Sequence, residues 1–307
     1  MRIGTAALLA AVIGFSGSAE AQSCGVLGNL VFEGDADSFH ATRARVGGLF
    51  NYASAFDYLG VAAQATHYSQ SGWGENAPGV VGFWRNQQRA TLAGINAEAG
   101  VVRVAGHTRP VGDVTWGLRP AESTGIELLA AAGLVETQSA IERGIGYMFW
   151  GASIEQTLTD SFTVIALGAY QPFTDDNDRV HFRARLIWNA LPEYGVTAQF
   201  RWRQYDSSKT DVGGAYFNPD HYQQWLGVLA FRKRDAGWVW SGAAGAGQET
   251  IDHTTTQTTY LAELRGEGPI GGKARLAVQA AYNRSAGFSN SPDYWYTLFG
   301  VTLIVPL

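Results

Sequence analysis

The sequence contains a single cysteine, Cys24, in 307 residues. No disulfide can form within the chain, which excludes a small secreted scaffold held together by such bonds. Beyond the first 22 residues no apolar run reaches the roughly 18 to 20 residues that a membrane helix needs, which excludes a helical membrane protein. The six histidines are scattered without the spacing of a zinc site, and we expect neither a metal nor another cofactor. A formal net charge of −5 argues against a nucleic-acid partner.

The N-terminus has the pattern of a secretory signal. Arg2 supplies positive charge, an apolar stretch of about a dozen residues follows, and Ala19-Glu20-Ala21 fits the small residues of a cleavage site. Residues 1–21 are therefore predicted to be a signal peptide and residues 22–307 the mature protein. Lipid attachment at Cys24 is the less favoured alternative, because a lipoprotein signal would have leucine in place of Ala21.

What is abundant is aromatic residues and glycine. The chain carries 10 Trp, 13 Tyr, 15 Phe and 38 Gly, with only 16% charged residues. This mixture is typical of outer-membrane β-barrels, whose strands are only half apolar, and also of large secreted all-β proteins. No linker, low-complexity tract or heptad run interrupts residues 26–307, so we expect one domain.

Several segments alternate between two chemically different faces. In "VTAQFRWRQYDSS" (196–208), Phe200 and Trp202 lie on one side and Arg201 and Arg203 on the other. Alternation with a period of two predicts a β-strand. The same pattern recurs in "HFRARLIWN", "YLAELRGEG" and "KARLAVQAAYN". Any one of these segments could equally be a half-buried strand of a soluble sandwich.

The connections between the segments favour a membrane barrel. Counted back from Leu307, short turns alternate with longer polar loops, as periplasmic turns and outer loops do in outer-membrane barrels. We therefore predict an all-β fold, a transmembrane antiparallel barrel of about 16 strands in the outer membrane of a Gram-negative cell. The final strand would enter the periplasm at Leu307, although it lacks the usual terminal aromatic residue. The stretch "TGIELLAAAGLVETQSAIERG" (124–144) is compatible with one strand, two strands, or a strand and a short helix.

A barrel of this size encloses an aqueous channel, so the polar faces of its strands should line the lumen. The predicted lumen-lining residues are Arg183, Arg185, Gln199, Arg201, Arg203, Tyr205, Glu263, Arg265, Arg275 and Gln279. Two interpretations of the arginines stay open. They form a ring of like charge that favours anions, or an ion-paired wall, with Glu263 and Glu267, that keeps the lumen wet.

Two short motifs and a glycine-rich strand point to a family. "YQPFTDDNDR" (170–179) and "GGAYFNPDHYQQW" (213–225), followed by "GAAGAGQ" (242–248), resemble the C-terminal barrels of exopolysaccharide export porins, the family of the poly-N-acetylglucosamine export porin and the cellulose-export subunit. The resemblance covers about residues 110–307 and implies a pore of roughly sixteen strands through which a glycan leaves the cell. Those proteins carry a periplasmic helical-repeat region ahead of the barrel. This chain has no room for one, so we expect a separate periplasmic scaffold protein to serve it.

Two loop regions are candidate sites. The first combines aromatic rings with polar acceptors, as sugar sites do, and its residues are Tyr216, Phe217, Asn218, Asp220, His221 and Tyr222. An Asn-Pro turn with an interfacial aromatic anchor is the alternative. The second is an acidic loop with Asp175, Asp176 and Asp178 beside Arg179, which could attract a cationic glycan or Ca²⁺, or simply be solvated. Asn177 is expected to take a left-handed backbone conformation in this turn.

The main functional hypothesis is export of a secreted polysaccharide through an aqueous lumen, with the polysaccharide and outer-membrane lipid as partners and no catalytic residues. The alternatives are an enzyme barrel that modifies outer-membrane lipid and a general porin or structural barrel. His67 and Ser69 share one face of a strand, but the sequence shows no acid nearby to orient the histidine. We therefore expect no enzymatic activity.

Overall fold

A computed structural model describes residues 23–271, 273–285 and 294–307. The predicted signal peptide lies outside these residues. The strands are β1 (Ser23–Asp35), β2 (His40–Ser54), β3 (Asp57–Gln70), β4 (Trp73–Gln87), β5 (Gly94–Val104), β6 (His107–Ala121), β7 (Thr124–Leu134), β8 (Gly146–Thr159), β9 (Phe162–Pro172), β10 (Asp178–Leu191), β11 (Val196–Ser207), β12 (His221–Asp235), β13 (Trp238–Ile251), β14 (Thr255–Gly271), β15 (Ala274–Arg284) and β16 (Trp295–Pro306). A short helix, α1 (Gln138–Glu142), lies between β7 and β8, and a single 3-10 turn, Pro192–Tyr194, precedes β11.

The sixteen strands form one closed antiparallel barrel in sequence order. Closure joins β1 to β16 with Leu27 opposite Ile304, and the Leu307 amide donates to the Cys24 carbonyl at 2.8 Å. Closure satisfies the backbone hydrogen bonds that an open sheet would leave exposed at its edges. The predicted all-β barrel and its strand number are confirmed. Within the described ranges, no helix is both long and apolar enough to cross a membrane.

The outer face of the barrel is apolar. Phe182 is 48% exposed, Phe200 is 50% exposed and Leu229 is 64% exposed, and all three point away from the lumen. Exposed apolar side chains around a closed barrel are stable in lipid and unfavourable in water. The inner face carries the charged residues of the same strands. The barrel therefore lies in the outer membrane with a polar lumen, as its alternating strands predict.

The long loops lie at one end of the barrel, which we call the external end. They include residues 135–145 and 208–220, whereas both chain termini and the two-residue turn 236–237 lie at the opposite, periplasmic end. The ambiguous stretch 124–144 contains β7 and α1, a strand followed by a short helix. The predicted difference between long and short connections does not hold throughout. The turns 71–72 and 105–106 are external yet only two residues long, and the loop around His253 spans only Asp252–Thr254.

Candidate functional site: the lumen and its external closure

Segment 135–145 crosses the external end of the lumen. Its helix begins with the Thr137 hydroxyl, which accepts a hydrogen bond from the Ala140 amide at 3.2 Å. Ile141 is fully buried against inward-facing residues of the barrel, among them Tyr68 and Val102. Glu136 accepts hydrogen bonds from the Arg43 guanidinium at 2.7 Å and from the Tyr68 hydroxyl at 3.0 Å. The segment is thus fixed to the inner wall of β2, β3 and β5.

Loop 208–220 meets this segment from the other side. Ala140 of α1 packs in one cluster with Phe173, Ala215 and Tyr216. The Thr137 hydroxyl donates to the Ala215 carbonyl at 2.6 Å, and the Arg143 guanidinium donates to the Val212 carbonyl at 2.9 Å. We call segment 135–145 and loop 208–220 together the external closure. The contacts show that the protein covers the outer mouth of its lumen with its own loops.

Asn177, in the connection between β9 and β10, anchors loop 208–220 of the external closure. Its side chain is fully buried and its amide nitrogen donates to the Tyr216 hydroxyl at 3.0 Å and to the Asn218 carbonyl oxygen at 2.8 Å. Its own oxygen accepts from the Lys209 amide at 3.1 Å. The expectation that Asn177 takes a left-handed conformation is wrong. Asp176 does so, with φ of 64°, because the turn places that exposed residue at its tip.

Arg179, two residues after Asn177, contacts the same loop from the lumen wall. Its guanidinium is within 4.9 Å of the ring centroids of both Phe173 and Tyr205 and 5.5 Å from that of Tyr216. It donates to the Phe217 carbonyl and, at 3.1 Å, to the Asn218 side chain. Aromatic faces attract a cation in this position, so Arg179 ties the loop to the wall of the lumen.

The residues predicted to bind a glycan are divided between the two faces of the wall, with Tyr222 facing the lumen and His221 facing outward. Tyr216 stacks on Phe173 at 5.1 Å, and Tyr222, on β12 and facing the lumen, stacks on Tyr205 at 4.9 Å. Phe217 packs edge-on against Tyr222. His221 contacts Asp206 at 2.6 Å and its ring stacks on His253, while Asp220 is exposed. Tyr216, Phe217 and Tyr222 are thus packed against other rings of the protein, and glycan binding by the loop stays a prediction.

The acidic loop is divided between structure and solvent. Asp175 accepts a hydrogen bond from the Tyr216 hydroxyl, whereas the Asp176 side chain is 96% exposed and 3.9 Å from the Lys209 amine. The backbone N–H of Asp178 donates a hydrogen bond to the Ser208 hydroxyl oxygen at 2.9 Å. Among the described residues, no group of three or more acidic, histidine or cysteine side chains is arranged to hold a metal ion.

Four of the predicted lumen arginines form a ladder on two neighbouring strands, with Arg183 of β10 directly opposite Arg203 of β11 and Arg185 opposite Arg201. We call these four residues the arginine ladder. Arg183 stacks over Phe149, Arg201 donates to Gln199 at 3.0 Å, and Arg203 donates to the Tyr222 hydroxyl at 2.9 Å. They line a cavity of about 670 Å³ together with Glu127 and Glu263.

Several other lumen arginines are paired with carboxylates. Arg45 binds Glu98 at 2.6 Å, and Arg265 and Arg275 approach Glu267 at 3.5 and 3.2 Å. Gln279 faces the lumen opposite Arg265. Ion-paired and like-charged arginines thus occupy different parts of the wall, and a preference for anions stays a prediction.

Glu249 was not identified from the sequence. It is fully buried on β13 and accepts hydrogen bonds from Tyr222, Gln224, Gln257 and Ser285, at 2.5 to 3.2 Å. Its inward parity on the glycine-rich strand was the available signal. Because Tyr222 also accepts from Arg203, the Glu249 carboxylate stabilises the external end of the ladder through one intervening hydroxyl.

On the outer face, near the external end, His67 and Ser69 project toward lipid from β3. The His67 Nδ1 atom is 2.9 Å from the Asn76 side-chain oxygen on β4, opposite it in the sheet. The orienting partner expected for His67 was a carboxylate, whereas the group in contact with it is the Asn76 amide.

Comparison with known proteins shows which solved structures this barrel is similar to. No family model and no curated protein matches the chain. Among solved structures, it is similar to a "Bacterial polysaccharide outer membrane secretin", with a TM-score of 0.66 and 11% identity, covering 94% of this chain and 100% of that one. The chain has the fold of an outer-membrane β-barrel. CdiB from Acinetobacter baumannii gives a TM-score of 0.50 at 9% identity over 92% of this chain and 60% of that chain. OprD from Pseudomonas aeruginosa gives 0.45 at 11% identity over 95% of each chain.

Proposed function

We propose that this barrel exports a secreted polysaccharide through its lumen, as a passive conduit without a cofactor. The observation that carries the proposal is the likeness over almost the whole of both chains to a barrel described as a polysaccharide secretin. A sixteen-stranded barrel encloses an aqueous channel rather than a packed core.

The external closure agrees with this role. A general porin must stay open for small solutes, whereas a polymer conduit has to be sealed when no polymer is passing. Here α1 and loop 208–220 contact each other and the lumen wall, with Ala140, Ile141 and Ala215 fully buried. We further propose that a separate periplasmic protein delivers the polymer to the periplasmic end of the lumen.

Deletion of the gene tests export. We expect secreted glycan to fall and periplasmic glycan to accumulate, with both restored by the wild-type chain. Unchanged glycan in both compartments would contradict export and favour a general porin.

A second candidate function rests on the His67 to Asn76 contact. An orienting amide that accepts from Nδ1–H leaves Nε2 free to take a proton from a serine hydroxyl, and Ser69 lies two residues away on the same face. The serine oxygen would attack the carbonyl carbon of a lipid ester, the histidine would pass the proton to the departing alcohol, and water would release the acyl group from serine.

Fatty-acid release from phospholipid vesicles by the purified barrel tests this candidate. Ser69→Ala should abolish any release and Ser71→Ala, in the adjacent turn, should leave it unchanged. Equal release by the wild type and Ser69→Ala would exclude Ser69 as the nucleophile.

A further inference from the structure

The arginine ladder places like charges where a sheet normally avoids them. Arg183 and Arg203 are direct cross-strand neighbours on one face, and Arg185 and Arg201 repeat the arrangement two residues further toward the periplasm. Like charges directly opposite each other destabilise a strand pair. The fold accepts this cost twice in succession, although glutamine or serine would keep the lumen equally wet.

The ladder also lacks the counter-charges that several other lumen arginines have. Within the described ranges, none of its four guanidinium groups has a carboxylate oxygen within 4.0 Å. Carboxylate partners are present for Arg43, Arg45, Arg119, Arg265 and Arg275. Arg183, Arg201 and Arg203 contact neutral groups, namely Phe149, Gln199 and the Tyr222 hydroxyl, which leave most of each planar fork of donors available.

The cavity beside the ladder has room for a ligand and an excess of positive charge. Its lining contains four arginines against two glutamates, Glu127 and Glu263, in a volume of about 670 Å³. Successive rungs are two residues apart, about 7 Å along the strand, and Arg179 continues the row about 13 Å further toward the external closure. A row of cations along the transit axis suits a chain with repeated anionic groups better than a single small ion.

We propose that the exported polymer is an acidic polysaccharide whose carboxylates bind the arginine ladder as it passes. This inference rests on the proposed export function and names its substrate class. Guanidinium groups recognise carboxylates through two parallel hydrogen bonds, and the four arginines of the ladder line the same cavity.

Binding of defined oligosaccharides to the purified full chain in detergent tests the inference by calorimetry. Oligogalacturonate should bind with an affinity that falls as salt is raised, whereas neutral cello-oligosaccharide and cationic chitosan oligosaccharide should bind at least about tenfold more weakly, a difference of 1.4 kcal/mol. Arg183→Gln with Arg201→Gln should weaken oligogalacturonate binding by about tenfold or more. Arg183→Lys with Arg201→Lys should weaken oligogalacturonate binding less than the glutamine pair does, because lysine keeps the positive charge although it lacks the planar fork of donors.

The matched control is Arg265→Gln with Arg275→Gln, which removes two lumen arginines that already have Glu267 as a partner. This control variant should bind oligogalacturonate with an affinity within about threefold of the wild-type value. Heat-modifiable migration on gels establishes that each variant is folded. Equal binding of the neutral oligosaccharide, preference for chitosan oligosaccharide, or full binding by the folded double glutamine variant would overturn the inference.

The deletion experiment separates this inference from export itself. If deletion stops glycan secretion but oligogalacturonate does not bind, export stands and the acidic substrate class is wrong. If oligogalacturonate binds through the ladder while deletion leaves secretion unchanged, the ladder is an anion site of a barrel that does not export glycan.

Discussion

The amide nitrogen of Asn177 donates a hydrogen bond to the hydroxyl of Tyr216 at 3.0 Å, inside the external end of the barrel. The same side chain binds Asn218 and the Lys209 amide, so one residue joins the β9–β10 connection to both ends of loop 208–220. A buried polar group with several partners is costly to remove, because each partner is left without its hydrogen bond.

Asn177→Ala should therefore loosen the external closure without unfolding the barrel. We expect a local loss of about 1 to 3 kcal/mol, more frequent channel openings in planar bilayers and greater uptake of large water-soluble antibiotics. Asp176→Asn is the control, since that side chain is 96% exposed and asparagine tolerates its left-handed backbone. Identical conductance for the two variants would show that Asn177 does not hold the closure shut.

Tyr216 gives the external closure a dependence on alkaline pH. Burial raises the pKa of Tyr216 to about 12 from an ordinary 10.0, with the Asp175 carboxylate adding to the rise and the hydrogen bond from Asn177 opposing it. The raised pKa means that the neutral hydroxyl is favoured in the closed structure. Its stabilising contribution is complete below pH 10 and is lost as the pH rises through about 12.

Channel openings should increase over that alkaline range in the wild type. Tyr216→Phe should lose this component, because phenylalanine keeps the stack on Phe173 and has no proton to release. Parallel titration curves for the wild type and Tyr216→Phe would contradict the assignment.

The period-two alternation and the polar segments between strands predicted the barrel, and the chain length predicted its approximate strand number. Arg201 and Arg203 were placed in the lumen because Phe200 and Trp202 required lipid. Strand register was beyond the sequence, since period two identifies a face but does not tell which residue of the next strand lies opposite. The pairing of Arg183 with Arg203 therefore appears only in the structure.

The external closure escaped prediction for a different reason. Ile141, Asn177 and Ala215 are fully or almost fully buried, yet they lie in connections without periodicity, where composition indicates a solvated loop. Their burial depends on contacts between segments about 40 or more positions apart in the chain. Asn76 was missed because its link to His67 crosses between neighbouring strands at a register that only the fold defines.

The face assignment predicts opposite results for one substitution at two adjacent positions. Phe200→Arg puts a charge on the lipid face of β11, where it costs about 2 to 4 kcal/mol near the bilayer midplane. Gln199→Arg puts the same side chain into the wet lumen, where it should fold normally and increase anion selectivity. Folding into lipid vesicles, followed by heat-modifiable migration, measures both. Normal folding of Phe200→Arg together with failure of Gln199→Arg would invert the faces of β11.

Arg43 binds the external closure, whereas Arg45 binds only the barrel wall, so substitutions at the two positions distinguish the two contributions. Both face the lumen from β2, but Arg43 holds Glu136 of segment 135–145 at 2.7 Å, whereas Arg45 pairs with Glu98 of the wall at 2.6 Å. Arg43→Gln should leave the partly buried Glu136 carboxylate without this ion pair, so that it favours water, and channel openings should become more frequent. Arg45→Gln loses a lumen ion pair of similar length and should leave the openings unchanged.

Because raised salt weakens ion pairs, including that of Arg43 with Glu136, the wild type should approach the behaviour of Arg43→Gln as ionic strength increases. Equal effects of the two substitutions on single-channel recordings would show that segment 135–145 is held by its apolar contacts around Ile141 and not by Arg43.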